Sequence, residues 1–310
     1  MGNVADEATV IRQWLTNELA GLLGGAAGDR ATETTMLALL AELRLANQRW
    51  FGTDAIGNTY PTPLSPFFTG VSDVITGQAP PVAGYDLWLD VKRTGTLWQD
   101  AGRTIAANAG DPVGSWHDPT NGRSATAAGA ARPTRAAGGL AFDGLNDALV
   151  LSTLPVHEWP GLTVATAVVT GATVPGNQAA VGMQQPGVAR WALGPCSDST
   201  FRHGWGGTAA NVPLTTPAVA HNPATGYVHV WRKGGTSWRI RRGNVDGVAT
   251  ADTSYPTAAP AVWLGAEPEG SGAYWYAGEL RAVVIYPFEL GDTSMAAVAE
   301  WLAARHNITF

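Results

Sequence analysis

Short apolar runs, three of them with one tryptophan each, fill the stretch from residue 85 to residue 151 and limit what this chain can fold into. Gly, Asp, Asn and Pro separate these runs. Each run is long enough for a β-strand and too short for a helix. The stretch therefore predicts a series of β-strands joined by tight loops. The runs with their flanking residues are Asp86–Asp90, Thr96–Asp100, Asp111–Asp118 and Phe142–Leu151.

The order of the segments LWLD, LWQD, DPVGSWHD and GGLAFDGLNDALVL resembles the start of a laminin-G-like, or concanavalin A-like, domain of the kind common in bacteriophage virion proteins. The end of the chain, GELRAVVIY followed by a short helix that ends in ARHNI, is similar to the end of such domains. This resemblance implies a mainly β fold, a two-sheet jelly-roll sandwich with a C-terminal helix. It implies no particular activity, because the same fold occurs in lectins, hydrolases and structural modules.

Changes in composition along the chain predict three segments. Residues 1–52 form a short N-terminal α-helical attachment or oligomerisation segment, and residues 53–83 form a Pro-rich linker or strap. Residues 84–310 form the jelly-roll domain. Within this domain, strands are predicted over 139–143, 147–152, 179–184, 189–194, 199–205, 262–266 and 275–286. A final helix follows Asp292 or Thr293 as N-cap, and its apolar stripe contains Met295, Val298, Ala299 and Leu302.

The N-terminal segment shows the spacing of two amphipathic helices, over about 4–23 and 32–51. In the second, apolar residues and Asn47 follow the spacing of a coiled-coil seam. The helices either associate with other copies of the chain or form a hairpin on their own β domain. We prefer self-association, because short isolated helices are marginally stable. The expected partners are other virion proteins and further copies of this chain, with a trimer preferred.

Composition and charge exclude several classes of function. The net charge of −6 gives no basic footprint for nucleic acid. No apolar run approaches 18 residues, so no membrane insertion is expected. No signal peptide is visible at the N-terminus, and the single Cys196 forms no intrachain disulfide. We expect the protein to reside in a phage or phage-like virion.

Enzymatic activity is not expected from the motifs. Hydrolases of the concanavalin A-like class carry Glu-x-Asp-x-x-Glu on one strand, and this chain lacks that pattern. The closest acids, Glu267 and Glu269, lie beside a Gly-Ser-Gly sequence that is typical of a solvated turn. The six histidines show no zinc-binding spacing. The sequence therefore predicts no catalytic residues and no organic cofactor.

Calcium is the one cofactor for which the sequence offers ligands. Asp143, Asn146 and Asp147 have suitable chemistry and spacing, and domains of the laminin-G-like and lectin types often hold one calcium ion. The same Asp-Gly-x-Asn-Asp sequence is also an ordinary turn in which Asp and Asn bond their own backbone. Both interpretations remain open, with the turn preferred.

Sugar binding requires exposed aromatic faces with polar side chains nearby. The best candidates are His203 and Trp205 in one Gly-rich segment and Tyr274 and Trp275 in another. The tryptophans of residues 85–151 are expected to lie mostly in the core.

The sequence thus predicts a non-enzymatic virion protein, such as a tail fibre, head fibre, spike or decoration protein, whose lectin-like domain binds host-surface polysaccharide. One alternative is a purely structural decoration protein without a ligand. The other is a polysaccharide depolymerase.

Overall fold

The computed structural model describes residues 79–310, apart from short gaps at 152–153, 173–177, 186–188, 196–200, 206–211, 216–221, 223, 235–236, 247–249, 252–254 and 270–271. For some strand residues, including 201–205, only the backbone is described. The chain divides into two units after Ala79, and the described residues belong almost entirely to the second. The predicted N-terminal helices, and all of the strap before Ala79, lie outside the described residues.

Twenty β-strands and one α-helix occur in the described residues, together with two 3₁₀ turns at Gly129–Ala131 and Val156–Glu158. The strands are β1 (Leu87–Asp90), β2 (Leu97–Trp98), β3 (Ser115–Asp118), β4 (Arg123–Thr126), β5 (Thr134–Arg135), β6 (Leu140–Asp143), β7 (Leu149–Leu151), β8 (Gly161–Thr170), β9 (Val181–Gln185), β10 (Ala189–Pro195), β11 (Phe201–Trp205), β12 (Val212–Thr215), β13 (Gly226–Gly234), β14 (Ser237–Arg242), β15 (Val245–Asp246), β16 (Thr250–Ala251), β17 (Ala261–Leu264), β18 (Pro268–Glu269), β19 (Gly272–Ala273) and β20 (Ala277–Tyr286). The helix is α1 (Asp292–His306). It is neither long nor apolar enough to cross a membrane.

The strands form two large antiparallel sheets. The first sheet has the order β15-β14-β13-β8-β20-β6-β5, with β1 beside β20 and β16 beside β14. The second sheet has the order β12-β11-β10-β9-β17-β7-β4-β3-β2, and β18 and β19 form a separate hairpin. These features confirm the predicted mainly β class with two sheets and a C-terminal helix. The seven strands predicted from residue 139 onward each match an observed strand within two residues at either end.

Alternation along the strands builds the core between the two sheets. In β17, Val262 and Leu264 are fully buried in the core, whereas Trp263 between them is half-buried on the opposite face. Successive strand residues point to opposite faces, which explains this pattern. Trp191 of the second sheet stacks on Trp231 of the first, with ring centroids 5.2 Å apart. This buried pair joins the two sheets directly, and each large ring removes about 150–250 Å² from water.

Helix α1 covers the outer face of the first sheet over β8 and β13. Its predicted stripe of Met295, Val298, Ala299 and Leu302 is buried, as the 3.6-residue period requires. Strand β8 is therefore buried on both faces along most of its length. The prediction of Asp292 or Thr293 as N-cap was wrong by one position, because Gly291 is the N-cap. Asp292 instead starts the helix and forms ion pairs with Arg232 and Arg239.

Candidate functional site

The outer face of the second sheet differs from that of the first, because its side chains remain partly exposed. Ser124, Thr126, Val150 and Trp263 are all half-buried at outward positions. Their strand neighbours Ala125, Leu149, Leu151 and Val262 are buried in the core. This face is therefore the broad sheet surface on which the described part of the chain offers side chains to a ligand.

A single row of register partners crosses this face, and we call it the tryptophan row. Two half-exposed tryptophans at its ends enclose three smaller residues, of which Thr126 and Val150 are half-buried and Ser115 is fully buried. Neighbouring strands lie about 4.8 Å apart, so the four steps separate the two tryptophan backbones by about 19 Å. The consecutive partners are Trp98 in β2, Ser115 in β3, Thr126 in β4, Val150 in β7 and Trp263 in β17.

Trp98 lies outward because Leu97 beside it occupies the core. The indole Nε1–H of Trp98 donates a hydrogen bond to the carbonyl oxygen of Gly95 at 3.2 Å, which fixes the ring. The prediction that tryptophans of this stretch form core is confirmed for Trp88 and Trp116, which are fully buried. Trp98 is the exception that a prediction of mostly buried tryptophans allows, because Leu97 takes the inward position and Trp98 next to it must face outward.

A hairpin after β2 carries an exposed arginine to this face. The Nη1 of Arg103 lies 2.8 Å from Nε2 of His117, which occupies an outward position in β3. A guanidinium group only donates, so Nε2 of His117 is the acceptor. The proton of the imidazole is therefore assigned to Nδ1, which lies 3.0 Å from the Arg123 carbonyl oxygen and 2.9 Å from Ser124 Oγ. Burial, together with the charge of Arg103, lowers the pKa of His117 and keeps the ring neutral.

The tip of this hairpin is held by Asp100. Its carboxylate accepts hydrogen bonds from the backbone N–H groups of Thr104 and Ile105 and from the Thr104 hydroxyl. These bonds, led by that from Ile105, lower the pKa of Asp100. Arg103 within the tip has a φ of 59°, in the left-handed region that favours glycine. The turn thus presents Arg103 in a conformation that an arginine rarely adopts.

The segment between β17 and β20 closes the other end of the tryptophan row. Gly182 is the register partner of Trp263, and a Cβ at Gly182 would lie 2.7 Å from the Ala266 carbonyl oxygen. The fully buried Glu267 lies against the same glycine. Backbone hydrogen bonds in both directions join Glu267 to Tyr274. The row is thus bounded by this segment and by the Arg103 hairpin.

The predicted sugar-binding residues Tyr274 and Trp275 lie in this bounding segment. Both are half-buried. Ala277, two residues beyond Trp275, is the register partner of Asp143. The structure therefore brings the predicted aromatic segment and the predicted calcium turn to the same end of the two sheets, although they are far apart in sequence. Contact of Tyr274 and Trp275 with a ligand stays a prediction.

The other predicted pair, His203 and Trp205, lies in β11, toward the far edge of the second sheet. The register partners of these residues in β10 are Leu193 and Trp191, both buried. The side chains of His203 and Trp205 lie outside the described residues. Their role in sugar binding therefore stays a prediction.

The predicted calcium ligands form a hydrogen-bonded turn. Asp143 Oδ1 accepts the N–H groups of Leu145 at 2.8 Å and Asn146 at 3.2 Å, and Asp147 Oδ2 accepts the N–H of Asp143 at 2.9 Å. Within the described residues, no group of three or more His, Cys, Asp and Glu side chains is placed to hold a metal ion. Asn and backbone oxygens also bind calcium, so calcium at Asp143, Asn146 and Asp147 stays a prediction.

The chain resembles sialidases in fold. A Trypanosoma rangeli sialidase in complex with 2,3-difluoro-KDN matches with a TM-score of 0.53 and 18% identity, over 75% of this chain and 34% of the sialidase. A second structure of T. rangeli sialidase, a covalent intermediate with difluorosialic acid, matches with a TM-score of 0.53 and 16% identity, over 89% of this chain and 40% of the sialidase. The chain therefore spans about two fifths or less of the length of these enzymes. At these identities the likeness shows fold alone.

Other comparisons add little. A pentraxin of Limulus polyphemus matches with a TM-score of 0.43 and 16% identity, over 51% of this chain and 80% of the pentraxin, and a score this low carries no argument. No protein-family model matches the chain, and no curated protein matches it either.

The sialidases overturn the prediction that the chain is not an enzyme, because the structures it resembles at a TM-score of 0.53 are enzymes. That prediction rested on the missing Glu-x-Asp-x-x-Glu pattern. This pattern marks one class of hydrolase on one fold, and its absence says nothing about enzymes built in another way. Nothing tests the phage setting, which stays a prediction.

Proposed function

We propose that the two sheets form a jelly-roll sandwich of the concanavalin A type that binds polysaccharide along the tryptophan row. One observation carries this proposal: Trp98 and Trp263 stand half-exposed at the two ends of a single register row, with only Ser115, Thr126 and Val150 between them. Within the described residues, helix α1 covers the outer face of the first sheet, which supports the outer face of the second sheet as the binding surface.

The chemistry of the row suits a sugar chain. The apolar face of a pyranose ring stacks on an indole, and hydroxyl groups such as that of Thr126 bond to sugar hydroxyls. A span of about 19 Å between the two tryptophan backbones leaves room for several sugar rings. Single contacts of this kind are weak, and two platforms on one rigid sheet add their contributions for a ligand long enough to reach both.

The test compares variants of the full chain in equilibrium binding to an immobilised polysaccharide panel. Trp98→Ala and Trp263→Ala each remove one platform. An aromatic contact contributes about 0.5–1.5 kcal/mol beyond its buried area, so each variant is expected to bind roughly three- to tenfold more weakly.

Trp301→Ala is the matched control, because Trp301 is also half-buried but lies on helix α1 against the first sheet. It is expected to bind like the unaltered chain. If Trp98→Ala and Trp263→Ala bind as tightly as Trp301→Ala, the tryptophan row is not the binding surface.

Cleavage of the bound glycan is a second candidate, which the likeness to sialidases favours. Glu267 is a fully buried carboxylic acid beside Gly182, at the Trp263 end of the row. Release of new reducing ends from a bound polysaccharide by the full chain, and its loss in Glu267→Gln, would support cleavage. Unchanged release in that variant would exclude Glu267 from the reaction.

The setting of this binding remains a separate proposal. The resemblance of residues 84–310 to laminin-G-like modules of phage virions supports display on a particle, as part of a fibre, spike or decoration protein, with host-surface polysaccharide as the ligand. Residues 1–52 would then supply docking to other virion proteins. Detection of the protein in purified particles tests this setting.

A further inference from the structure

Arginines of this acidic chain differ in how their charge is balanced. Most described arginines form an ion pair with a carboxylate; they are Arg93, Arg123, Arg232, Arg239, Arg241, Arg281 and Arg305. Arg242, on the first sheet, lies over the ring of Tyr227, whereas Arg103, Arg132 and Arg135 have no carboxylate partner among the described residues. Arg132 Nη1 donates to the Gln99 carbonyl oxygen at 3.1 Å, and Arg135 Nη1 donates to the Ala107 carbonyl oxygen. Arg103, Arg132 and Arg135 therefore lie around the hairpin at one end of the tryptophan row.

The carboxylates nearest to this hairpin are already engaged in its turns. Asp100 bonds the N–H groups of Thr104 and Ile105, and Asp111 bonds the N–H of Asn108 and the amide of Gln99. Asp100 and Asp111 reduce the positive potential at the hairpin, but neither carboxylate forms an ion pair with a guanidinium group in the described residues. Among the described residues at this hairpin, three guanidinium groups thus outnumber two carboxylates, in a chain whose net charge is −6.

Arg103 is the member of this group whose guanidinium lies beside an outward-facing residue of the sheet, His117. Arg103 is exposed, whereas Arg132 and Arg135 are half-buried. His117, which accepts its Nη1–H, and Trp98 stand at diagonal outward positions of β3 and β2, because Trp98 pairs with Ser115 two residues before His117. Such neighbours have Cα atoms about 7–8 Å apart. The remaining N–H donors of Arg103 are therefore held near the Trp98 end of the row.

The backbone of Arg103 supplies an independent argument. A φ of 59° is unfavourable for a side chain with a Cβ, and glycine or asparagine is the usual residue there. Unfavourable backbone conformations cluster at functional sites, and this clustering supports a role for the Arg103 side chain in binding. The neutral His117 fixes the guanidinium without cancelling its charge.

We propose that Arg103, oriented by His117 beside Trp98, binds the carboxylate of an acidic sugar in the polysaccharide. The guanidinium fork matches a carboxylate in a bidentate arrangement, and Trp98 supplies the platform for the ring that carries it. The proposal rests on the proposed function, because it names the class of glycan that the tryptophan row takes. Arg132 and Arg135 add a positive field at the same edge.

The experiment uses the full chain and two matched probes, a galacturonic acid oligomer and the same oligomer with its carboxylates methyl-esterified. Calorimetric titration of the unaltered chain is expected to give an affinity for the acid form that is roughly tenfold or more above that for the ester. This preference is expected to shrink as salt rises, because screening weakens exposed charge pairs.

Two variants remove the guanidinium while suiting the backbone, namely Arg103→Gly and Arg103→Asn. Both are expected to lower the affinity for the acid form to that for the ester and to leave the ester affinity unchanged. The melting temperature of Arg103→Gly is expected to rise, since glycine adopts the positive φ without strain. A loss of binding together with a gain in stability separates a ligand contact from a structural role. Arg241→Gln, which removes an arginine paired with Asp246 on the first sheet, is the control and is expected to keep the preference.

Equal affinities of the unaltered chain for acid and ester would overturn this proposal and leave polysaccharide binding by the tryptophan row standing. An acid preference that survives in both Arg103 variants would also overturn it. Failure of both probes to bind the unaltered chain would count against this proposal and against the proposed function together.

Discussion

The carboxyl group of Asp147 is buried in the folded chain, and its pKa therefore differs between the folded and the unfolded chain. Burial raises its pKa to about 6, a hydrogen bond from the Asp143 N–H opposes the rise, and the nearby Asp143 carboxylate adds to it. The ordinary pKa of Asp is about 3.9. Between these values the folded chain binds more protons than the unfolded chain, so the free energy of unfolding falls as pH rises from about 4 to about 6.

Asp147→Asn is therefore expected to stabilise the protein at pH 7, by up to about 2–3 kcal/mol. The amide oxygen still accepts the Asp143 N–H, and the charge is gone. Urea unfolding at several pH values measures this, and the fall in stability between about pH 4 and pH 6 should be smaller in the variant. Asp246→Asn, at an exposed residue, is the control that keeps the fall. If Asp147→Asn is less stable than the unaltered chain at pH 7, Asp147 is not a strained buried acid.

The same variant tests the predicted calcium site. If Asp143, Asn146 and Asp147 bind calcium, calcium at pH 7 raises the melting temperature of the unaltered chain and not that of Asp147→Asn. An equal response of both proteins would place any calcium elsewhere.

Buried ionic contacts connect three elements around Trp88. The guanidinium of Arg93 lies 3.8 Å from the centroid of the Trp88 ring and forms a fully buried ion pair with Asp118 at 3.0 Å. Asp118 also accepts the backbone N–H groups of Trp88 and Thr120. Strands β1 and β3, which belong to different sheets, and the turn after β1 thus depend on one carboxylate.

Asp118→Asn is expected to destabilise the protein by about 3–5 kcal/mol, because it leaves the buried Arg93 charge without its partner. The matched control is Asp86→Asn, which breaks the partly exposed pair with Arg123 and is expected to cost about 0–1 kcal/mol. Chemical denaturation of both variants measures the difference. Similar losses in the two proteins would show that the Arg93–Asp118 pair is not an anchor between elements.

The sequence predicted seven of the strands from residue 139 onward and the C-terminal helix, but it did not predict the tryptophan row or the contact of Arg103 with His117. Period-two alternation located β7 and β17, and the 3.6-residue stripe located α1, because both signals are local. The tryptophan row depends on register across five strands, two of which, β7 and β17, do not follow the others directly in the chain. Arg103 contacts a histidine 14 residues away. The sequence does contain a local signal for the two ends of the tryptophan row. Leu97-Trp98 and Trp263-Leu264 each place two large apolar residues side by side in a strand, so one residue of each pair must face outward.

Assembly belongs to the scale of the whole molecule. Residues 1–52 lie outside the described residues, so self-association through them stays a prediction from the spacing of apolar residues. We expect the full chain to be oligomeric, with a trimer preferred, and a chain lacking residues 1–52 to be monomeric. Light scattering of both proteins measures this. The same subunit number for both would assign assembly to another part of the chain.

Among the described residues of the sandwich, helix α1 covers the outer face of the first sheet, whereas side chains on the outer face of the second sheet stay partly exposed. The tryptophan row, the Arg103 hairpin and the β17–β20 segment together make that face a bounded surface. Polysaccharide binding on it is the central claim, and it competes with the predicted sites near residues 143–147 and 274–275 at the end of the sheets.

The most direct measurement is a crystal structure of the full chain with an oligosaccharide that it binds in solution. We predict sugar rings stacked on Trp98 and Trp263 and lying across Thr126 and Val150. Sugar bound at the 143–147 turn or at Tyr274 and Trp275, with the tryptophan row free of ligand, would contradict the account.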